Sequence, residues 1–169
     1  MALPTFGPDA QPEGILRVCR SAEEMGYDSL WTGDRVLAPL VPGAPYPSAD
    51  GEMPRAYENH MDPLVALTFA ASHTSRVQLG TSTLNGLWQP PIMLARSLTT
   101  LDLLSQGRLT VGIGLGWMPD EYTAVSVPSR LRRVRVLGTV PIPPAISRRP
   151  REEEGQEASG TGEGPEAAE

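Results

Sequence analysis

Short apolar segments alternate with helix-like segments over the first 128 residues, and this alternation limits the possible folds more than any other feature. Four segments have the character of buried strands: ALPTF close to the N-terminus, then DSLWTGD, RVQLGTS and RLTVGIG. Helical spacing or a helix-start signal follows each of them. Strands that alternate with helices in this way predict β-α units and a parallel sheet. We therefore predict an α/β fold with four β-α units.

The helix boundaries can be predicted from proline, glycine and capping residues. In PEGILRVCRSAEEMG a proline stands near the start, a glycine stands at the end, and the apolar residues predicted to face the core are Ile15, Cys19, Ala22 and Met25. Asp62 and Pro63 form an N-cap and first-turn pair for the second helix. Pro90 and Pro91 precede the third, in which Met93 is predicted to face the core.

Composition and charge exclude several classes of function. The chain has 169 residues, no lysine and a net charge of −6. Seven acids and one arginine lie in residues 151–169, so the preceding part is neutral and lacks the basic face that nucleic acid requires. A single cysteine, Cys19, allows no internal disulfide. No signal peptide or membrane-spanning segment is recognisable, and we expect a cytoplasmic protein with no membrane partner.

Two segments fall outside the alternating pattern. Residues 35–61 are rich in Pro, Gly and Tyr and form a long predicted loop, which in a compact domain is usually functional or disordered. His60 near its end could face the active site or be solvated. Residues 129–169 have no sustained period and end in a Glu/Gly-rich stretch, so we predict a body of residues 1–128 and a disordered tail. A frameshift or truncation in the gene would explain such a tail.

The stretch GRLTVGIGLGWMPDEY contains three closely spaced glycines at the end of the fourth predicted strand. A dinucleotide-binding fingerprint would be G-x-G-x-x-G after a first strand, but here Trp117 occupies the third glycine position. The absence of lysine excludes a Walker-type phosphate loop. Glycine at a strand end instead allows another group to approach the backbone closely, because no Cβ stands in the way.

Four pieces of the sequence, in the same order, resemble the luciferase-like oxidoreductases. They are AEEMGYDSLWTGD, LGTS, LARSLTTLDLLSQGRL and GIGLGWMPDEY. This resemblance covers residues 1–128 and implies the N-terminal half of a (β/α)₈ TIM barrel, with four of its eight strands. Members of the family use FMN or the deazaflavin coenzyme F420. The last of the four pieces is more similar to the F420-dependent branch.

The resemblance and the barrel fold together imply where the cofactor binds. Active sites of such barrels lie at the carboxyl ends of the strands. Residues at those ends are therefore predicted to bind the cofactor: Phe6, Asp34, Thr81, Ser82, Thr83, Asn85, Gly114 and Trp117. The family also implies a non-proline cis peptide between Ser82 and Thr83 if the barrel is complete.

The proton-transfer residue cannot be assigned from the resemblance. Arg35 stands where many F420-dependent dehydrogenases have a histidine, and Trp117 stands where a sugar-phosphate dehydrogenase branch has a glutamate. The catalytic residue is therefore unknown. No metal site is predicted, since the two histidines and the cysteine lie far apart in the sequence.

Three functional hypotheses follow from these observations. The first is an F420-dependent oxidoreductase that transfers hydride to or from a small organic substrate, with an FMN-dependent monooxygenase as its variant. The second is a non-catalytic half-barrel that serves as an interaction protein. The third is a gene remnant without activity. If the barrel is complete, we expect a homodimer.

Overall fold

The computed structural model describes residues 1–128. The predicted tail, residues 129–169, lies outside the described residues. Within residues 1–128 the chain alternates between helices and strands, as the sequence predicts. Among the helices of this part, none is long and apolar enough to cross a membrane.

Four α-helices lie in the described part, and each begins with a proline in its first turn. They are α1 (Pro12–Glu24), α2 (Pro63–Ala71), α3 (Pro91–Leu104) and α4 (Pro119–Ala124). Proline is favoured there because its missing N–H would have no partner within the helix. The side chain of Asp62 accepts a hydrogen bond from the Val65 N–H at 2.9 Å, which confirms the predicted cap of α2. A short 3₁₀ helix, Arg55–Glu58, lies in the long loop.

Three strands form one parallel sheet: β1 (Ser29–Thr32), β2 (Gln78–Asn85) and β3 (Leu109–Gly114). They lie in the order β1-β2-β3, with Ser29 opposite Gln78 and Leu79 opposite Leu109. These strands correspond to the second, third and fourth predicted segments. The α/β class and the parallel pairing are therefore confirmed for this part of the chain.

The first predicted strand, ALPTF, differs from expectation. Only Ala2 pairs with the sheet, through an isolated parallel bridge to Trp31. Pro4 has no N–H to donate to a strand ladder, which limits the length of regular pairing that this segment can form. The prediction of four complete β-α units is thus not confirmed, since the described sheet has three strands.

The core lies between the sheet and helices α1, α2 and α3. Its largest fully buried side chains include those of Ile15, Leu30, Leu67, Leu79 and Leu101. Cys19 and Ala22 are also buried, as the helical spacing predicted.

The two predicted core methionines are an exception. Met25 is 62% exposed and Met93 is 42% exposed, so both predictions were wrong. Met25 caps the C-terminus of α1, where the chain already turns away from the core, and Met93 lies in the first turn of α3.

Two charged side chains bind the loops at the amino ends of β2 and β3. The Glu23 carboxylate at the end of α1 accepts hydrogen bonds from the backbone N–H groups of Ser75, Arg76 and Val77 at 2.6–3.1 Å. The Arg108 guanidinium makes five hydrogen bonds, to Thr74 Oγ1 and to the carbonyl oxygens of Ala71, Thr74, Val77 and Ser105. Both residues therefore lie at the amino ends of the strands, on the side of the sheet away from their carboxyl ends.

Candidate functional site

The carboxyl ends of β1, β2 and β3 lie side by side because the three strands are parallel. The chain that leaves β1 begins with Gly33 and Asp34, β2 ends at Asn85, and β3 ends at Gly114. A Cβ built on Gly33 would lie 3.3 Å from the Phe6 ring and 3.7 Å from the Ser82 carbonyl oxygen. Most of the predicted cofactor-binding residues are therefore neighbours in space.

The end of β2 is irregular. The peptide bond between Ser82 and Thr83 is cis, as the family resemblance implied, although the described sheet has only three strands. The register with β3 shifts between Thr81 and Leu84, which marks a bulge. Ser82 and Thr83 are exposed, whereas Leu84 and Asn85 beyond the bulge are buried. The bulge thus presents Ser82 and Thr83 on an open surface.

The glycines at the end of β3 pack closely against β2. A Cβ at Gly114 would collide with the Thr83 side chain, and a Cβ at Gly116 would collide with Asn85 Nδ2. At Gly112, the backbone N–H and carbonyl oxygen are both bonded to the Thr81 hydroxyl at 3.0 Å. In this structure the glycines are required by packing against β2, and the space beside them is filled by protein atoms.

Asp34 and Asn85 are directly connected. The Asp34 carboxylate accepts a hydrogen bond from the Asn85 backbone N–H at 2.8 Å. Burial raises the pKa of Asp34 above its ordinary value, and the Asp62 and Glu121 carboxylates add to this, while the Asn85 hydrogen bond and His60 oppose it. A carboxyl group whose pKa is raised by its surroundings in a cleft is a candidate functional group.

The Asn85 side chain has a donor without a partner. Its Oδ1 accepts a hydrogen bond from the Leu87 N–H at 3.0 Å, which fixes the orientation of the amide. Its Nδ2 is buried and has no hydrogen-bond partner among the described residues. An unsatisfied buried donor costs about 1–3 kcal/mol, so it is a rare feature that calls for an explanation. An acceptor atom on a bound molecule would satisfy it.

The residue after Asp34 forms a buried ion pair with α4. Arg35 Nη1 lies 3.9 Å from Glu121 Oε1, and both side chains are about 95% buried. The same Glu121 oxygen accepts a hydrogen bond from the Val36 N–H at 3.0 Å. Asp120, one residue earlier, accepts a hydrogen bond from the Gly43 N–H at 3.0 Å. These contacts attach the first part of the long loop to the start of α4.

Four aromatic rings form a chain across the long loop, between Phe6 and the residues after β3. Phe6 contacts Tyr57 at a centroid distance of 5.2 Å, Tyr57 contacts Tyr46 at 5.8 Å, and Tyr46 contacts Trp117 at 5.6 Å. The Arg35 guanidinium lies 4.7 Å above the Tyr57 ring and 5.9 Å from that of Trp117. The long loop is therefore folded against the predicted site.

A cleft of about 280 Å³ lies beside the ends of β1 and β2. It is lined by Asp34, Arg35, His60, Asp62 and Asn85, together with Val36, Pro63, Leu64, Leu84, Trp88 and Gln89. His60 is partly buried and is held in place by an antiparallel bridge to Phe6. The structure thus favours the interpretation in which His60 faces the site.

The sequence alone indicates no site role for Arg35, Glu121 or the two loop tyrosines. The tyrosines are recognisable in the sequence only as a compositional feature of the long loop. Their partners are 11 to 86 residues away in the sequence, so no local spacing indicates the contacts. Within residues 1–128, no group of three His, Cys, Asp or Glu residues is arranged to hold a metal ion.

A comparison with protein-family models decides the family. The model of the luciferase-like monooxygenases matches residues 2–152. This chain belongs to the luciferase-like family. An uncharacterized family relative from Mycobacterium tuberculosis is 37% identical over 116 residues, which are 68% of this chain and 41% of the relative. The F420-dependent glucose-6-phosphate dehydrogenase of Kineococcus radiotolerans is 41% identical over 107 residues, 63% of this chain and 27% of the enzyme.

A comparison with solved structures supports the same fold. The monooxygenase RslO1 from Streptomyces bottropensis is 30% identical, with a TM-score of 0.62, and the match covers 80% of this chain and 38% of that one. This chain therefore spans less than half the length of the relatives and structures that it matches. The family includes both F420-dependent dehydrogenases and monooxygenases, so the chain is related to oxidoreductases of this general kind.

Proposed function

We propose that the chain forms part of an F420-dependent oxidoreductase that transfers hydride to or from a small organic substrate. The observation that carries the proposal is that Asp34 and Asn85 both line the cleft, joined through the Asn85 backbone N–H, and that the Asn85 side chain has an unsatisfied buried donor. Flavins and deazaflavins share a ring edge with carbonyl oxygens and an N–H group. The Asn85 Nδ2 can donate to such a carbonyl, and the Asp34 carboxylate can accept from such an N–H.

The residues present therefore fit the cofactor ring. Bound there, F420 would supply an acceptor or donor for hydride, while Asp34 and Asn85 would orient its polar edge. Ser82 and Thr83 lie shortly before Asn85 on β2 and are exposed, although neither of them lines the cleft. The 41% identity to an F420-dependent dehydrogenase supports F420 as the first candidate.

FMN is the second candidate, with oxygen-dependent monooxygenation as the reaction. The 30% identity and the TM-score of 0.62 with the monooxygenase RslO1 favour it. Arg35 stands where the resemblance gives many F420-dependent dehydrogenases a histidine, and Trp117 stands where it gives a sugar-phosphate dehydrogenase branch a glutamate, and both departures weigh against sugar-phosphate dehydrogenation. A homodimer in the cytoplasm with a small-molecule substrate is part of either proposal.

The test is equilibrium titration of the purified 169-residue chain with F420 and with FMN, followed by cofactor fluorescence. We expect saturable binding of one of them. Asn85→Asp keeps the acceptor for the Leu87 N–H but replaces the free donor by a negatively charged oxygen, and should weaken binding about tenfold or more. Gln106→Glu makes the same amide-to-carboxylate change on the exposed turn after α3 and should have no effect. Absence of binding by the folded wild-type chain would overturn the proposal.

A further inference from the structure

The cleft contains a nitrogen base that no functional assignment uses. The His60 Nδ1 lies 3.1 Å from the Tyr57 carbonyl oxygen. A carbonyl oxygen can only accept a hydrogen bond, so Nδ1 must carry the proton in the neutral ring. The other nitrogen, Nε2, then has a free lone pair. Among the residues that the structure describes, it has no hydrogen-bond partner.

The position of His60 is fixed from two sides. Its backbone pairs with Phe6 in an antiparallel bridge, and the next residue, Met61, donates its N–H to the Thr5 carbonyl oxygen at 3.0 Å. The imidazole is bonded to the 3₁₀ turn that contains Tyr57. Such support on both backbone and ring holds a side chain in one geometry, which proton transfer requires.

The other ionisable side chains of the cleft are less suited to accept a proton from a substrate. Arg35 stays protonated and cannot accept one. Asp62 Oδ1 is occupied as the cap of α2, and Asp34 accepts the Asn85 N–H. Asp34, Arg35 and Asp62 are the charged groups that line the cleft with His60.

We infer that His60 Nε2 is the proton acceptor for a substrate hydroxyl group in the hydride-transfer reaction. The inference rests on the proposed function. Oxidation of a hydroxyl-bearing carbon to a carbonyl breaks a C–H bond and an O–H bond. The hydride passes to the oxidised deazaflavin, which is reduced, and the proton passes to Nε2. In the reverse direction, the protonated ring returns that proton to the oxygen of a carbonyl substrate.

The first test needs no cofactor. Nitrogen-15 NMR of the imidazoles is recorded on the 169-residue chain and on His73→Gln, which leaves His60 as the single histidine. We expect the neutral His60 ring to be protonated on Nδ1. Protonation on Nε2 would overturn the inference, because that nitrogen would then have no lone pair to receive a proton.

The second test is hydride transfer to F420 from a panel of hydroxyl compounds: ethanol, propan-2-ol, cyclohexanol and glucose 6-phosphate. His60→Asn keeps an N–H near the position of Nδ1 for the Tyr57 carbonyl but has no base at Nε2. It should still bind F420 saturably and lose about a hundredfold or more in kcat. His73→Gln, which removes the other histidine, should keep full activity.

The outcomes separate the two proposals. Failure of the wild-type chain to bind F420 or FMN would overturn the proposed function. Cofactor binding without turnover of any hydroxyl compound, or equal turnover in His60→Asn, would overturn the role of His60 alone. If His60→Asn loses its near-ultraviolet circular dichroism together with turnover, the substitution has disrupted the fold. His60→Gln is then tested in its place, and the same loss of kcat is expected.

Discussion

The Asp34 carboxylate accepts a hydrogen bond from the Asn85 backbone N–H at 2.8 Å, which joins the chain that leaves β1 to the last residue of β2. The two residues are 51 positions apart in the sequence. Their contact places a partly buried carboxyl group next to an amide whose Nδ2 is buried without a partner. Both features cost stability in the isolated chain, and both are accounted for if a polar ring edge binds there.

Asp34→Asn should stabilise the isolated chain at pH 7. Burial holds the pKa of Asp34 above its ordinary 3.8, so the folded state binds the proton more tightly than the unfolded state does. The contribution of Asp34 to stability is therefore greatest at low pH and is lost as pH rises from 3.8 through the folded pKa. Asparagine does not ionise and still offers an oxygen to the Asn85 N–H. In urea denaturation, Asp34→Asn should have a higher midpoint than the wild type at pH 7 and the same midpoint below pH 3.8. Asp28→Asn, at an exposed position, is the control and should not raise the midpoint at either pH.

Glu23→Gln should destabilise the chain by about 1–2 kcal/mol at pH 7, since three backbone N–H groups lose a charged acceptor. Although burial opposes it, these hydrogen bonds from Arg76, Ser75 and Val77 lower the pKa of Glu23 from 4.5 to about 2. Its stabilisation is present above pH 4.5 and is lost as pH falls through about 2. Denaturation curves recorded from pH 7 to pH 2 should show the stability difference between the wild type and Glu23→Gln shrinking as pH falls from 4.5 to about 2. Glu24→Gln changes the exposed neighbouring residue, and an equal loss of stability in that variant would contradict the role given to Glu23.

Arg108→Ala should lower the free energy of unfolding by about 2–4 kcal/mol. The reason is that five hydrogen bonds to the end of α2 and the turns around it depend on one guanidinium. Lysine cannot reproduce that fork of donors, so Arg108→Lys should recover less than half of the loss. Arg96→Ala on the exposed face of α3 serves as the control and should change the free energy by less than about 0.5 kcal/mol in chemical denaturation.

Glu121→Ala should destabilise the chain by about 3 kcal/mol and release the long loop. The substitution leaves the buried Arg35 cation without its carboxylate and the Val36 N–H without its acceptor. Tryptic cleavage after the exposed Arg55 reports on the loop, and its rate should rise. Asp120→Ala removes one exposed hydrogen bond to Gly43 and should cost less than about 1 kcal/mol. Equal cleavage rates in Glu121→Ala and the wild type would show that the ion pair does not hold the loop.

Much of the fold could be predicted because its signals are local. Proline and Asp62 mark the helix starts, and apolar runs mark the three strands of the sheet. The length of the first strand was overestimated, since an apolar run that contains Pro4 pairs with the sheet only through one bridge, at Ala2. Met25 was placed in the core by spacing alone, although it stands where α1 has already ended.

The candidate site could be predicted only at the strand ends. Asp34 and Asn85 could be predicted as candidates because barrel sites lie at the strand ends, and the cis peptide was implied by the family resemblance. The Arg35–Glu121 pair and the chain of aromatic rings depend on how a loop of more than twenty residues folds back, which has no local period. The reason for Gly114 and Gly116 was also inaccessible, since it depends on Thr83 and Asn85 in the neighbouring strand.

The most direct test of the account follows the side-chain amide resonance of Asn85 by nitrogen-15 NMR while F420, and separately FMN, is added to the 169-residue chain. Assignment uses the Asn85→Asp variant, which lacks that resonance. The account predicts a saturable shift of the Asn85 Nδ2 protons with one of the two cofactors, while the amides of Gly26 and Gly107 at the opposite edge of the sheet stay unchanged. Saturable cofactor binding that leaves the Asn85 amide unmoved would contradict it.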